Sequence, residues 1–239
     1  MPATRPARRN VSADATSADT KTRILDAAEE LFMIHGFEAT SLRQLTAAAG
    51  VNLAAVNYHF GSKEELFQTA LTRRLDPLNQ ERIELLDRVE REAGARAASC
   101  EKILAAMLIP ALRLARDEKR GGKNFLRLLG RAYADPAPFI RHFLSAQYGD
   151  MIQRYKEAFA RALPHLPRVE LTFRLHFVMG ALSYTLAGTD ALKLFNQIGA
   201  AADKDNDEML LQRLAPFLVA GLKAPAMAVN RRLELVSGE

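Results

Sequence analysis

The sequence predicts an all-α protein, a small three-helix module followed by a larger helical domain, and three observations carry that prediction. Apolar residues recur at three- and four-residue spacing in one segment after another. No stretch alternates apolar and polar residues in a strand period, and neither an Asn-Gly nor an Asp-Gly hairpin signal occurs. Glycines, prolines and capping residues divide the periodic segments at helix-sized intervals. With 239 residues and 49% hydrophobic content, the chain is long enough for one domain with a full core and a smaller companion.

Residues 1–18 hold Arg5, Arg8 and Arg9 among Ala, Thr, Ser and Pro with no apolar run behind them, the composition of a disordered basic arm and not of a signal peptide or anchor. Asp19 to His35 reads as the first helix, with Ile24, Leu25, Ala28, Leu31 and Phe32 on one side. Thr40 is the expected cap of a second helix in which Leu42, Leu45 and Ala49 share a face. Gly50 supplies a left-handed stop, and Asn52 caps a third, short helix from Leu53 to His59. Two short helices meeting at a tight turn form a helix-turn-helix, and the first helix must pack on them to give a stable DNA-reading module. Ser62-Lys63-Glu64-Glu65 is a capping box that opens a helix to about Glu92, bent at Pro77. After a break at Gly94 to Ser99, further helices are predicted near 99–116, 122–134, 136–163, 168–190 and 207–223. The resulting division is a basic arm (1–18), a DNA-binding domain (19–66), an effector-binding and dimerisation domain (67–223) and a flexible tail (224–239).

The formal charge of +5 leans toward a polyanionic partner, but residues 1–75 carry nine Lys/Arg against eight Asp/Glu. Distribution is more telling. Between Ser41 and Lys63 there is no acid, so a duplex could approach that surface without meeting a carboxylate. The longest apolar stretch, Phe177 to Gly188, is too short to span a bilayer, and the chain is expected not to engage a membrane. One cysteine, Cys100, and no metal-spaced Cys/His cluster fit a reducing cytoplasm, with no metal and no cofactor. No phosphate loop, nucleophile elbow or His-Glu-x-x-His pattern is present, so no catalytic residue is assigned and the protein is expected not to be an enzyme.

The segments Ile24-Leu25-Asp26-Ala27-Ala28-Glu29-Glu30-Leu31-Phe32, Gly36-Phe37-Glu38-Ala39-Thr40-Ser41-Leu42-Arg43, Gly50-Val51, Tyr58-His59-Phe60 and Ser62-Lys63-Glu64-Glu65-Leu66 together resemble the amino-terminal domain of the TetR family of bacterial transcriptional regulators. The resemblance covers nearly all of residues 20–67. It implies a double-stranded operator as partner, with Tyr58, Lys63, Thr40 and Ser41 placed like the family's phosphate-contacting residues. The residues themselves add that Leu53, Ala54 and Ala55 suit methyl contacts with thymine and let the helix backbone approach the base edges, while Asn52, Asn57 and His59 can add hydrogen bonds. Arg43 is the candidate for a directional base contact, and Val51, Val56 and Phe60 are expected to face inward. Asn57 stands where such sequences usually carry Tyr, and Thr46 where Ala is common, so the operator sequence does not transfer from the family.

In the second half, Phe125-Leu126-Arg127-Leu128-Leu129-Gly130, Pro164-His165-Leu166-Pro167, the run from Glu170 to Ala181 and Ala215 to Gly221 resemble the carboxy-terminal domain of PsrA-type regulators. That likeness implies a long-chain fatty acid or acyl-CoA effector. The residues alone show a surplus of bulky apolar side chains, from which Phe125, Leu128, Leu129, Phe143, Met151, Tyr155, Phe173, His176, Phe177 and Met179 are the candidate ligand site. The last two helices keep an apolar face after the core is filled, and Leu210, Leu214, Phe217 and Gly221 are the candidate contacts of a homodimer built as a four-helix bundle. The predicted function is a dimeric repressor released by an apolar, acyl-type effector. Two other readings stay open: a DNA-binding regulator with an unrelated effector or none, and a helical enzyme acting on acyl groups with Cys100 as its only thiol.

Overall fold

The computed structural model describes residues 11–135, 137–186 and 206–226, and among them it contains helices and turns without strands. They divide into two compact units that meet between Arg74 and Leu75, eight residues beyond the boundary expected from the sequence.

The first unit is built from α1 (Val11–Ala39), α2 (Leu42–Ala49), α3 (Leu53–Phe60) and the opening turns of α4 (Lys63–Ala93). α1 starts inside the stretch predicted to be a disordered arm, and residues 1–10 lie outside the described ones. Its helical geometry is interrupted at Gly36, whose φ of 79° and ψ of 177° turn the chain so that Phe37 folds back on the core. There Phe32, Phe37 and Phe67 form a ring cluster, Phe67 lying edge-on to Phe32 at 5.0 Å and to Phe37 at 5.1 Å. Ile24, Ala28, Leu45, Val56 and Leu66 complete that core. α1 and α4 are also tied by charge. Arg74 Nη2 and Nε donate to the buried Glu29 at 2.9 and 3.2 Å, and Arg73 reaches both Asp26 and Glu29.

Thr40 is not the cap of α2. Its side chain is buried at 1% exposure and its hydroxyl donates to Gly36 O at 2.7 Å, closing the turn that follows α1. Ser41 takes the cap instead: its Oγ accepts from Gln44 N, and its own N–H donates to Gln44 Oε1 at 2.8 Å, a reciprocal capping box. At the start of α4 only half of such a box forms. Ser62 Oγ accepts from Glu65 N at 3.0 Å, while the Ser62 N–H donates to Phe60 O.

The second unit holds the rest of α4, α5 (Cys100–Arg116), a 3-10 turn (Glu118–Arg120), α6 (Gly122–Ala134), α7 (Pro138–Ala162), α8 (Arg168–Leu186) and α9 (Asn206–Lys223). α4 runs through Pro77 as one continuous helix and stops at Gly94. α6 packs on α8 and α5, α9 packs on α5 and α8, and α7 packs on α5 and α8. Positions 187–190, predicted to extend α8, and 227–239 of the predicted tail lie outside the described residues. α9 ends against Arg174, whose guanidinium donates to Gly221 O, Leu222 O, Ala224 O and Pro225 O while Nε pairs with Glu170 at 2.8 Å. A cation on the exposed carbonyls of a helix end offsets the macrodipole and satisfies orphan acceptors.

Candidate functional site

Two surfaces carry the chemistry, one in each unit. In the first, the turn between α2 and α3 depends on Gly50, held at φ 62° and ψ 41°. A Cβ there would be strained by that conformation and would stand 2.8 Å from Arg23 Nη2. Arg23 is there because it donates to Ala49 O at 2.6 Å and Gly50 O at 3.1 Å, capping the end of α2 from α1. Nothing in the local sequence signals this cap, because the two partners are 26 and 27 residues away.

Asn52 caps α3 as predicted, its Oδ1 accepting from Ala55 N at 2.9 Å. That leaves its amide N–H groups available to a ligand. Val56 and Phe60 are buried and Val51 is half-buried, so α3 is pinned along one side. Leu53, Ala54, Asn57 and Tyr58 face outward, Tyr58 at 82% exposure, and Ala55 and His59 sit at the margin. The Tyr58 and His59 rings meet edge-on at 5.1 Å. Lys63 Nζ lies 4.2 Å from the centre of the Phe37 ring, a cation–π contact that holds the ammonium at the start of α4. Ser41 and Arg43 are exposed, and the Arg43 guanidinium has no hydrogen bond or ion pair to any described residue. Of the eleven positions singled out in the sequence, Thr40 alone is withdrawn from the surface, because its hydroxyl is spent inside the turn.

The second surface is a cavity of about 330 Å³ inside the second unit, enclosed by α4, α5, α6, α7 and α8. Met151, Tyr155, His176 and Met179 line it, as predicted from the sequence, and so do Met107, Leu108, Leu144, Tyr148, Phe159 and Leu182. The other six candidates do not. Phe125, Leu128 and Leu129 are buried in α6, the helix that packs on α5 and α8, and Phe143 is turned away from the cavity beside Leu144, its ring 6.2 Å from that of Tyr148. Phe173 and Phe177 fail for a geometric reason. At about 100° per residue, Thr172, His176 and Met179 occupy one side of α8, which puts Phe173 and Phe177 on its outer side, 56% and 66% exposed.

The cavity's polar tips are mostly committed to the protein. Tyr155 O–H donates to Arg82 O at 2.9 Å, and burial pushes that phenol well above its ordinary value. Tyr148 O–H donates to Asp76 Oδ1 at 2.8 Å. Arg82, a lining residue the sequence reading missed, is buried at 6% exposure. Among the described residues no group of His, Cys, Asp and Glu could hold a metal ion. Cys100 is buried away from the cavity lining, and burial, with Glu101 beside it, pushes its thiol up to about 11. It is therefore protonated at neutral pH and unsuited to nucleophilic attack.

The dimer candidates divide as well. Phe217 is 69% exposed and Gly221 is exposed, Leu214 is half-buried, and the side chain of Leu210 lies outside the described residues. Phe217 and Gly221, with Val169, Phe173, Phe177 and Gly180 on the packed neighbour α8, are apolar positions open to solvent.

Residues 24–70 match the family model described as bacterial regulatory proteins, tetR family, and residues 105–221 match the tetracyclin repressor-like C-terminal domain. The transcriptional regulator SrpR of Pseudomonas putida is 41% identical over 64 residues, which is 27% of this chain and 30% of that protein. The chain thus spans under a third of the length of that curated relative, and 48% of the regulator TtgW from the same species. Two solved structures share the fold across both units. AibR in complex with isovaleryl coenzyme A and operator DNA is 22% identical with a TM-score of 0.55, covering 87% of this chain and 100% of that one. FadR from Bacillus subtilis in complex with stearoyl-CoA is 15% identical with a TM-score of 0.50, covering 84% and 98%. With both halves matched in order, and the capped α2–α3 turn lying inside the first match, the chain belongs to the tetR family of bacterial regulatory proteins.

Proposed function

We propose that the protein is a homodimeric, operator-binding transcriptional repressor of the bacterial cytoplasm whose second unit takes an apolar, acyl-type effector. The observation that carries the DNA reading is α3, capped by Asn52, anchored by Val56 and Phe60, and presenting Leu53, Ala54, Asn57 and Tyr58 outward from a stretch, residues 41–63, that contains no acid. Such a helix fits the major groove, with small apolar side chains against thymine methyls and Asn57 against a base edge. Ser41, Tyr58 and Lys63 then serve as phosphate contacts and Arg43 as a directional one. Thr40 drops out as a side-chain contact and contributes by holding the turn.

The effector reading rests on the cavity. Its volume of about 330 Å³ lies at the low end of the roughly 300–1,000 Å³ seen for small-molecule sites, and its Met, Leu and aromatic walls suit a flexible apolar body. Acyl-CoA ligands occupy AibR and the Bacillus subtilis FadR, but at 22% and 15% identity those likenesses speak for the fold alone. The likeness to PsrA-type regulators in the sequence points the same way. Release would pass along α4, which supplies residues to both units, and would change the separation of two reading heads. Among the described residues no helix is long and apolar enough to cross a membrane.

Selection of the full-length protein against random duplex DNA tests this. The expected product is a two-fold symmetric site with half-sites about 34–36 Å apart. Enrichment of no sequence, or of a single asymmetric half-site, would end the dimeric repressor reading.

A further inference from the structure

The second unit contains a buried cation that its own structure does not explain. Arg82 lines the cavity at 6% exposure. Its Nε donates to Met107 O at 3.0 Å and its Nη1 to Asn79 Oδ1 at 3.0 Å. Nη2 has no acceptor among the described residues, and none of their carboxylates pairs with the guanidinium. Asn79 adds to the imbalance: with Oδ1 turned to Arg82, its Nδ2 is buried without an acceptor. Arg82 thus lines the cavity with no carboxylate partner and with an Nη2 edge open to the cavity, beside an Asn79 amide that is itself off the cavity lining.

Buried charges are costly unless paired and hydrogen-bonded, and among the described residues the other buried arginine, Arg174, obeys that rule, as does the half-buried Arg74. Arg174 has Glu170 and four carbonyls, and Arg74 has Glu29. The acids of α4 around Arg82 are engaged elsewhere, Asp76 by Tyr148, Glu81 by Arg113, Glu84 by Gln80, and Asp87 and Glu90 by Arg154. Linking α4 to α5 through Met107 O would need only a neutral donor. A guanidinium with free donor edges in an apolar cavity is instead suited to a carboxylate, which supplies the opposite charge and two acceptor oxygens at once.

We infer that the effector is an amphiphilic monocarboxylate that enters carboxylate first, its head bound by Arg82 at the cavity floor and its apolar tail directed toward the mouth. The mouth is where Ile152, Thr172, His176 and Met179 are exposed. Lys156 also lines the cavity, but it is half-buried and can stay hydrated without a ligand, whereas a headgroup held away from Arg82 would leave that buried guanidinium without a partner. This rests on the effector reading above and adds the ligand's charged group and its orientation. A thioester, having no charge at its acyl carbon, would not meet the Arg82 requirement.

Calorimetric titration of the full-length protein with dodecanoate, methyl dodecanoate and dodecanoyl-CoA tests it. The acid should bind at least roughly tenfold more tightly than the ester, as expected when a hydrogen-bonded charge is lost. Arg82→Gln should remove that difference by weakening the acid alone, and Arg82→Lys should retain part of it. The ratio of acid to ester in the unaltered protein needs no variant, so misfolding of either substitution does not obscure the result. Equal binding of acid and ester, or equal weakening of both by Arg82→Gln, would overturn the inference while leaving the cavity a ligand site. Tightest binding of the thioester would overturn it in favour of a head at the mouth. If none of the three binds, the effector reading falls and this inference with it.

Discussion

Thr40 and Ser41 are neighbours with similar side chains, yet one is buried inside a turn and the other caps a helix at the surface. Either could cap by residue type, and the choice was settled by the break at Gly36, which carries the Thr40 hydroxyl back to a carbonyl of α1. Sequence shows which residues can cap; it does not show which carbonyl a chain reversal brings within reach. The same limit explains why the carbonyl contacts of Arg23, Arg82 and Arg174 went unread, since each reaches a backbone oxygen 25 or more residues away. Positions whose role is local were legible: Asn52 and Gly50 do what their types imply, and Tyr58 stands out as expected. At this scale the DNA assignments make distinct predictions. Tyr58→Ala and Lys63→Ala should weaken binding to every sequence alike, each reducing the slope of log K against log salt by about 0.9. Arg43→Ala should cost roughly 1–3 kcal/mol at particular base pairs and little elsewhere. Binding measured across a salt series and a panel of operator variants separates the two, and a Tyr58 variant with altered base preference would move that residue to the readout set.

At the scale of elements, α8 shows what helical periodicity can and cannot tell. Its apolar residues nearly encircle it, so sequence alone could not divide cavity wall from outer face. The structure divides them by angle: Thr172, His176 and Met179 face the cavity, while Val169, Phe173 and Phe177 face solvent, as do Phe217 and Gly221 of the neighbouring α9. Apart from α1, which begins at Val11 where a disordered arm was expected, helix positions were legible within a few residues, because their starts and stops carry local signals: Ser99 caps α5, Pro138 opens α7, and Gly94 follows α4. An exposed phenylalanine pair on two packed helices is the expected seam of a two-fold bundle. Phe177→Asp and Phe217→Asp should therefore yield folded monomers, since neither side chain is buried in the single chain. Light scattering should show half the mass of the unaltered protein, circular dichroism unchanged helicity, and operator binding a marked loss from the missing second head. A dimer that persists in both variants would place the interface elsewhere.

On the scale of the whole molecule, a ligand in the second unit can alter DNA binding only through its differential affinity for two conformations, whatever its affinity for one. The part of the chain common to both units is α4, which gives Arg73 and Arg74 to the ion pairs with α1 and, two turns on, Arg82 to the cavity. Filling the cavity is thus expected to act on a helix that also braces the DNA-reading unit. Each buried methylene contributes about 0.8 kcal/mol, close to a fourfold gain in affinity. Operator release should then sharpen steeply from hexanoate to longer chains until the cavity is full. Met179, 37% exposed on its rim, offers a way to separate occupancy from signalling. Met179→Trp should place a larger ring over the entrance and weaken release by dodecanoate several-fold, leaving ligand-free operator affinity unchanged because the residue is remote in sequence from the DNA-reading unit. Fluorescence anisotropy on labelled operator, titrated with each acid, reads both quantities. A response flat across chain length, with Met179→Trp indistinguishable from the unaltered protein, would leave a DNA-binding regulator whose affinity no acyl ligand controls.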